Sequence, residues 1–223
     1  MTAEDVTTER ARAIVQRQEE TPHGLWIHGV CDRSGRAQGD RRSGKQPALD
    51  EALADFGNEA VGIDALLESH SDETTPLPTA RDALRQLIMG ERLDDRIGFA
   101  YAYCLKHLCQ VHGEFLDNST WYPAPPPFLD EVQTALEGAG VPRQTFSVDR
   151  LSYGGSPIPI PPVDDFPGIG FVARPAVREA FDALSRVKLD DIADDDVRES
   201  IVGLTGWLAT CRDRNCDLVC FYH

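Results

Sequence analysis

The sequence has little of what marks a membrane protein or a nucleic-acid-binding protein. No run approaches the roughly 20 apolar residues of a membrane-spanning helix, and residues 1–20 are polar, without the apolar segment of a secretory signal. Only 22 residues are Lys or Arg against 37 Asp or Glu, which gives a formal net charge of -15. Because phosphate groups are bound by clustered basic side chains, we expect neither nucleic acid nor a membrane as a partner.

The sequence also lacks the short motifs of common catalytic sites. It has no glycine-rich phosphate loop ending in Lys-Ser/Thr, no dinucleotide-binding glycine pattern after a strand, and no serine nucleophile elbow. No cofactor is therefore predicted. The six cysteines are expected to stay reduced, since nothing in the sequence directs the chain to an oxidising compartment.

The hydrophobic patterning predicts an α+β protein that is predominantly helical, with about six to eight helices and a small sheet. Segments with helical spacing or helix-boundary residues are 48–56, 59–69, 79–89, 97–115, 129–136, 175–184 and 197–211. The β-branched and aromatic residues of 218–222 predict a C-terminal strand. Its partner is expected to be either 25–30 or 158–160.

The chain is predicted to divide unevenly. Residues 47–223 are interpreted as a single mainly helical domain, because 223 residues with 41% hydrophobic content can bury a core. Residues 1–46 are interpreted as a poorly ordered or irregular extension. Its part from Asp32 to Gln46 is rich in Gly, Ser, Arg and Asp and cannot bury enough surface to offset its ordering entropy.

The helix at 97–115 carries Cys104, His107, Cys109 and His112, a pattern that suggests zinc. At about 100° per residue these four side chains spread over roughly 200° of the helix surface, too widely for one tetrahedral ion. The helix is therefore predicted to be a core helix, with Cys104 in its apolar stripe. A partial site of Cys104, His107 and a ligand from elsewhere is the alternative.

A second cysteine–histidine group lies at the end of the sequence, at Cys211, Cys216, Cys220 and His223. Its spacings match no zinc ribbon or zinc finger, so no metal is predicted here either.

Two proline-rich loops supply the candidate binding residues. Trp121 and Tyr122 lie in one loop as an aromatic pair, which is either an interface anchor or part of the core. Asp164, Asp165 and Phe166 lie in the other, between prolines that stiffen the backbone. All five are interpreted as protein-binding residues, and Asp164 with Asp165 is the alternative general acid–base pair. The other aspartate pairs, Asp94/Asp95 and Asp190/Asp191, are interpreted as solvated residues or helix caps.

The runs Gly113–Asn118, Asp164–Gly170 and Leu218–Tyr222 resemble an uncharacterised family of actinobacterial proteins. More distantly, the layout over residues 79–223 is similar to YfbM-like proteins, in which a long helix precedes a terminal strand. The resemblance implies the fold and a cytoplasmic location, and it implies no activity.

Two functions are carried forward from the sequence. The favoured one is a non-enzymatic acidic module in the cytoplasm that binds a basic protein, as an immunity protein or an antitoxin does, since acidic charge accelerates association with a basic partner. The alternative is a hydrolase that uses Asp164/Asp165 or a partial Cys/His metal site. An exposed apolar stripe on the final helix would indicate a homo-oligomer.

Overall fold

A computed structural model describes residues 25–30, as backbone, and residues 45–70, 75–164 and 166–222. The α-helices in these ranges are α1 Lys45–Ala54, α2 Gly57–His70, α3 Ala80–Met89, α4 Gly98–His112, α5 Pro126–Gly138, α6 Asp149–Tyr153, α7 Arg174–Leu184 and α8 Asp195–Arg214. The strands are β1 Leu25–Val30, β2 Glu114–Phe115, β3 Gly168–Val172 and β4 Asp217–Tyr222. The α+β, predominantly helical class and the C-terminal strand are confirmed.

The chain forms two compact units. Of the described residues, the first holds 45–70, 75–111 and 160–164, and we call it the helical unit. The second holds 25–30, 112–159 and 166–222, and we call it the sheet unit. The single domain over 47–223 stays a prediction, because two compact units can belong to one folding domain. Residues 1–24 and 31–44 of the predicted extension lie outside the described residues.

The helical unit is built around buried side chains from α1 to α4, among them Phe56, Leu84 and Tyr101. A capping box begins α3, with the Thr79 side chain accepting from the Asp82 N–H and the Asp82 side chain accepting from the Thr79 N–H. Gly90 ends α3 in the left-handed conformation, at φ 68°.

Helix α4 is shorter than predicted. It ends at His112, and the predicted stripe residue Phe115 lies instead in β2, where half of its surface is exposed. At the other end, the helix begins at Gly98. This position requires glycine because a Cβ there would collide with the backbone carbonyl of Pro162. The segment 160–164 thus packs directly on the first turn of α4.

The sheet of the sheet unit has the strand order β2-β1-β4-β3, and every pairing is antiparallel. Strand β1 pairs with β4 along its whole length, from Leu25 opposite Tyr222 to Val30 opposite Asp217. The predicted partner 25–30 is therefore confirmed and 158–160 was wrong. The other neighbour of β4 is β3, where Gly170 allows the backbone of α6 to approach so closely that a Cβ would collide with Leu151 O.

Helices α7 and α8 supply apolar stripes to the core of the sheet unit. On α8, the predicted stripe from Val197 to Cys211 is buried. Asp194 caps this helix by accepting from the Val197 N–H at 3.0 Å. Because the stripe is covered within its own unit, it provides no argument for a homo-oligomer.

Candidate functional site

Trp121 belongs to the core of the sheet unit. Its side chain is fully buried, its indole N–H donates to Ser200 O at 3.1 Å, and its ring lies 5.4 Å from that of Trp207. A side chain held in this way is not accessible to a partner. Its assignment as a protein-binding residue is therefore corrected, and the alternative, that it packs in the core, is confirmed.

Both proline-rich loops meet at Tyr222 of the terminal strand. The Tyr222 hydroxyl donates to Ala124 O at 3.2 Å in the first loop, and its ring lies 6.0 Å from those of Tyr153 and Phe166. Tyr222 is itself buried, and burial, with a smaller effect of nearby Tyr153, raises the pKa of its hydroxyl. Tyr153 is 69% exposed and Phe166 37%. We call these three residues the aromatic patch.

The remaining predicted binding residues do not form one described set. Tyr122 is 38% exposed. Asp164 is exposed but belongs to the helical unit, whereas Phe166 belongs to the sheet unit. Asp165 lies outside the described residues. The interpretation of Tyr122, Asp164 and Phe166 as a binding site stays a prediction.

An open cleft of about 890 Å³ lies in the sheet unit between α5 and the segment that leads into α8. We call it the acidic cleft. Four carboxylates line it, and they are Asp130, Glu131, Asp191 and Asp194. Its two cations are Arg186 and Lys188, and its apolar lining includes Ala135, Ile192 and Val197.

Sequence reasoning missed this cleft because its walls come from distant parts of the chain. Asp130 and Glu131 are on α5, and Asp191 and Asp194 come shortly before α8. Asp191 had been interpreted as a solvated residue or a cap. The available signal was weak, because a helix that exposes Asp130, Glu131 and Thr134 together has the pattern of any solvated helix face.

The cysteine and histidine side chains of α4 contact different neighbours. The Cys104 thiol donates to Ala80 O at 3.7 Å, whereas the His107 Nε2 lies 2.8 Å from Ala52 O. The predicted dispersal is thus confirmed for this pair. Cys109 is also buried, and burial raises the pKa of its thiol to about 12. His112 is exposed.

In the part of the chain that the structure describes, no group of three or more His, Cys, Asp or Glu residues is arranged to hold a metal ion. Cys211, Cys216 and Cys220 of the second group are buried, and His223 lies outside the described residues. Over the same ranges, no helix is long and apolar enough to cross a membrane.

A smaller pocket, of about 290 Å³, lies between α2 and α4 of the helical unit. We call it the α2–α4 pocket. Lys106 and Glu59 line it with opposite charges, and Ile63, Leu66 and Tyr103 form an apolar part of its lining. His107 is also in its wall, with its ring 4.7 Å from that of Phe56.

The fold and these two cavities define a mainly helical α+β protein with a small antiparallel sheet and an acidic cleft. The chain belongs to the family described as a domain of unknown function, DUF7691, whose model matches residues 41–223. Neither a curated protein nor a solved structure matches the chain. The resemblance to an uncharacterised family is thus confirmed, whereas actinobacterial origin and similarity to YfbM stay predictions.

Proposed function

We propose that the protein is a non-enzymatic, cytoplasmic binding module whose acidic cleft receives a basic segment of a partner protein. The observation that carries this proposal is the cleft itself, which has a volume of about 890 Å³ and is lined by four carboxylates together with apolar residues. That volume falls within the range of roughly 300–1,000 Å³ found for ligand sites.

The lining of the cleft suits lysine and arginine side chains. Their charged ends pair with carboxylates, while their methylene stems cover apolar surface such as that of Ile192 and Val197. Arg186 and Lys188 add two positive charges to the lining, which disfavour a uniformly basic segment. We therefore expect a partner segment with several basic residues and an acidic residue at one end.

The charge of the whole chain supports the same partner. A formal charge of -15 attracts basic proteins at long range and raises their association rate. Immunity proteins and antitoxins that neutralise basic toxins use this principle, and we propose that class as the finer function.

The aromatic patch is proposed as a second contact for the same partner. Tyr153 and Phe166 present exposed ring surface over the buried Tyr222. Arginine guanidinium groups stack favourably on such rings, with about 0.5–1 kcal/mol per exposed contact. Among the described residues, no observation favours the hydrolase alternative.

The test is binding of a fluorescein-labelled peptide of alternating lysine and alanine that ends in one glutamate, with a glutamate–alanine peptide as the control ligand. The triple variant Asp130→Asn, Glu131→Gln, Asp191→Asn removes three cleft charges and leaves Asp194 to cap α8. We expect the basic peptide to bind at least about tenfold more weakly to it, a loss of roughly 1.4 kcal/mol.

A matched triple variant separates the cleft from the overall charge of the protein. Glu179→Gln, Asp182→Asn and Glu199→Gln change the net charge by the same amount at exposed positions of the sheet unit outside the cleft. This variant should bind the peptide within about twofold of the unchanged protein. Equal weakening by both triples, or by neither, would show that the cleft is not the site.

A further inference from the structure

The α2–α4 pocket has two opposite charges on facing helices. Lys106 projects from α4 and Glu59 from α2, and both line the pocket. Partial burial disfavours the charged ammonium and lowers the pKa of Lys106 to about 8, while the Glu59 carboxylate acts in the opposite direction. Lys106 is thus a cation held where little water solvates it, beside an anion.

His107 is a buried member of this wall. Its side chain is 97% buried, and its Nε2 lies 2.8 Å from Ala52 O, which can only accept. Nε2 therefore carries the proton in the neutral ring, and Nδ1 presents a lone pair. That Nδ1 is buried and has no hydrogen-bond partner among the described residues. Because Nδ1 is closed off from the pocket, the ring contributes packing surface to this wall rather than a hydrogen bond to a ligand.

The rest of the lining is apolar or neutral. Ile63 and Leu66 of α2 and the ring of Tyr103 of α4 contribute apolar surface, and Asn58 and Gln110 contribute amides. The volume of about 290 Å³ holds roughly ten groups of the size of a water molecule. A nucleotide or a folded peptide segment is too large, whereas a molecule with about ten non-hydrogen atoms fits.

We propose that this pocket binds a free α-amino acid with an apolar side chain. Its carboxylate pairs with Lys106, and its ammonium donates to Glu59. Its side chain covers the surface of Ile63 and Leu66. An amino acid meets both charged groups of the pocket, whereas a simple carboxylic acid or a simple amine meets only one of them. The proposal is independent of the acidic cleft, which lies in the sheet unit.

The experiment is calorimetric titration of the full chain with L-leucine and with the two halves of its chemistry, 4-methylpentanoate and 3-methylbutylamine. We expect leucine to bind at least about tenfold more tightly than either half, and glycine to bind more weakly because it lacks the apolar side chain. Absence of leucine and phenylalanine binding up to about 10 mM would overturn the proposal. Equal binding of one half alone would also overturn it.

Variants identify the site. Lys106→Met keeps the length of the side chain without its charge, and Glu59→Gln keeps its shape, so each should weaken leucine binding at least about tenfold. Glu68→Gln on the same helix and Arg92→Met are exposed controls outside the pocket and should stay within about twofold. Glu59 is exposed, so its variant decides the outcome even if Lys106→Met does not fold. Unchanged binding in Glu59→Gln would contradict the assignment.

Discussion

The two cavities of this protein differ in size and in the balance of their charges. The α2–α4 pocket encloses about 290 Å³ and pairs one lysine with one glutamate, whereas the acidic cleft encloses about 890 Å³ and sets four carboxylates against two cations. A small, charge-balanced pocket selects a small molecule that carries both charges. A larger cleft with net negative charge selects a segment of a basic chain. One sequence can thus combine two kinds of recognition in separate units.

If the cleft and the aromatic patch are binding surfaces of the sheet unit, its core must be made of other residues. The variant with the largest expected loss of unfolding free energy tests this. Trp121→Ala should lower the free energy of unfolding by about 3–5 kcal/mol, because it removes a fully buried side chain and leaves Ser200 O without its indole donor. Denaturant titration followed by circular dichroism measures the change. Tyr122→Ala, at the exposed neighbouring position, should cost less than about 1 kcal/mol. Similar losses in both variants would show that Trp121 is not a core residue.

Salt should separate the two cavities. Binding of the lysine–alanine peptide to the cleft is expected to weaken at least about tenfold between roughly 50 mM and 500 mM sodium chloride, because screening shortens the reach of exposed carboxylates. Leucine binding to the α2–α4 pocket should change by less than about threefold over the same range, since its charges pair at short distance in a partly buried site. Calorimetry at both salt concentrations gives the two dependences. Equal dependences would remove the distinction between the cavities.

Lys106, in the helical unit, should make the stability of the protein depend on pH. The folded-state pKa of Lys106, about 8, lies below its ordinary value of 10.5, so the unfolded chain binds more protons between these values and stability rises with pH there. Lys106→Met should therefore be more stable than the unchanged protein at pH 7, by about 1 kcal/mol, and this advantage should shrink towards pH 10.

The difference in stability between Lys106→Met and the unchanged protein reports the ionisation of Lys106 alone. This control is needed because other groups change the stability with pH in the opposite direction. Burial raises the pKa of the Cys104 and Cys109 thiols, so they lower stability as pH rises above about 9, in both proteins alike. Urea titrations at pH 7, 8, 9 and about 10 give the difference between the two proteins. A difference that does not vary with pH would show that Lys106 ionises normally.

The smallest expected effects come from the two helix caps, one in each unit. Thr79→Ala removes the capping box of α3, and Asp194→Ala removes the cap of α8, so each should cost about 1 kcal/mol of unfolding free energy. Asp194 also lines the acidic cleft, so only its variant should weaken peptide binding as well. Weakening by Thr79→Ala would mean that the peptide responds to stability rather than to the cleft.

Elements with regular apolar spacing could be predicted from the sequence. The stripe of α8 and the capping box at Thr79 and Asp82 are local patterns, and local patterns dictate local structure. Strand β3 could not be predicted in this way, because its Gly168-Ile169-Gly170 resembles a loop. The reason for those glycines is the close approach of α6, which only the tertiary structure shows.

The candidate sites were harder to predict than the fold. Trp121 and Tyr122 are adjacent in the sequence, yet one is buried and the other exposed, and composition cannot distinguish them. The acidic cleft joins residues about 60 positions apart, and the α2–α4 pocket joins residues about 45 apart, so neither has a local pattern to detect. The sequence suggests a role for His107 only as a metal ligand. The structure shows that its Nε2 contacts Ala52 O and that its Nδ1 is buried without a hydrogen-bond partner among the described residues.

The position of β4 in the sheet has a consequence for how the chain is made. β1 is among the first described residues to leave the ribosome, and its long partner β4 is the last strand to do so. Until then β1 and β3 each present an unpaired backbone edge, which other nascent chains can pair with. We therefore expect the sheet to form only after β4 has been synthesised, and slowly, since pairing between such distant segments closes a very long loop. Stalled translation before Asp217 would release a chain that exposes both edges.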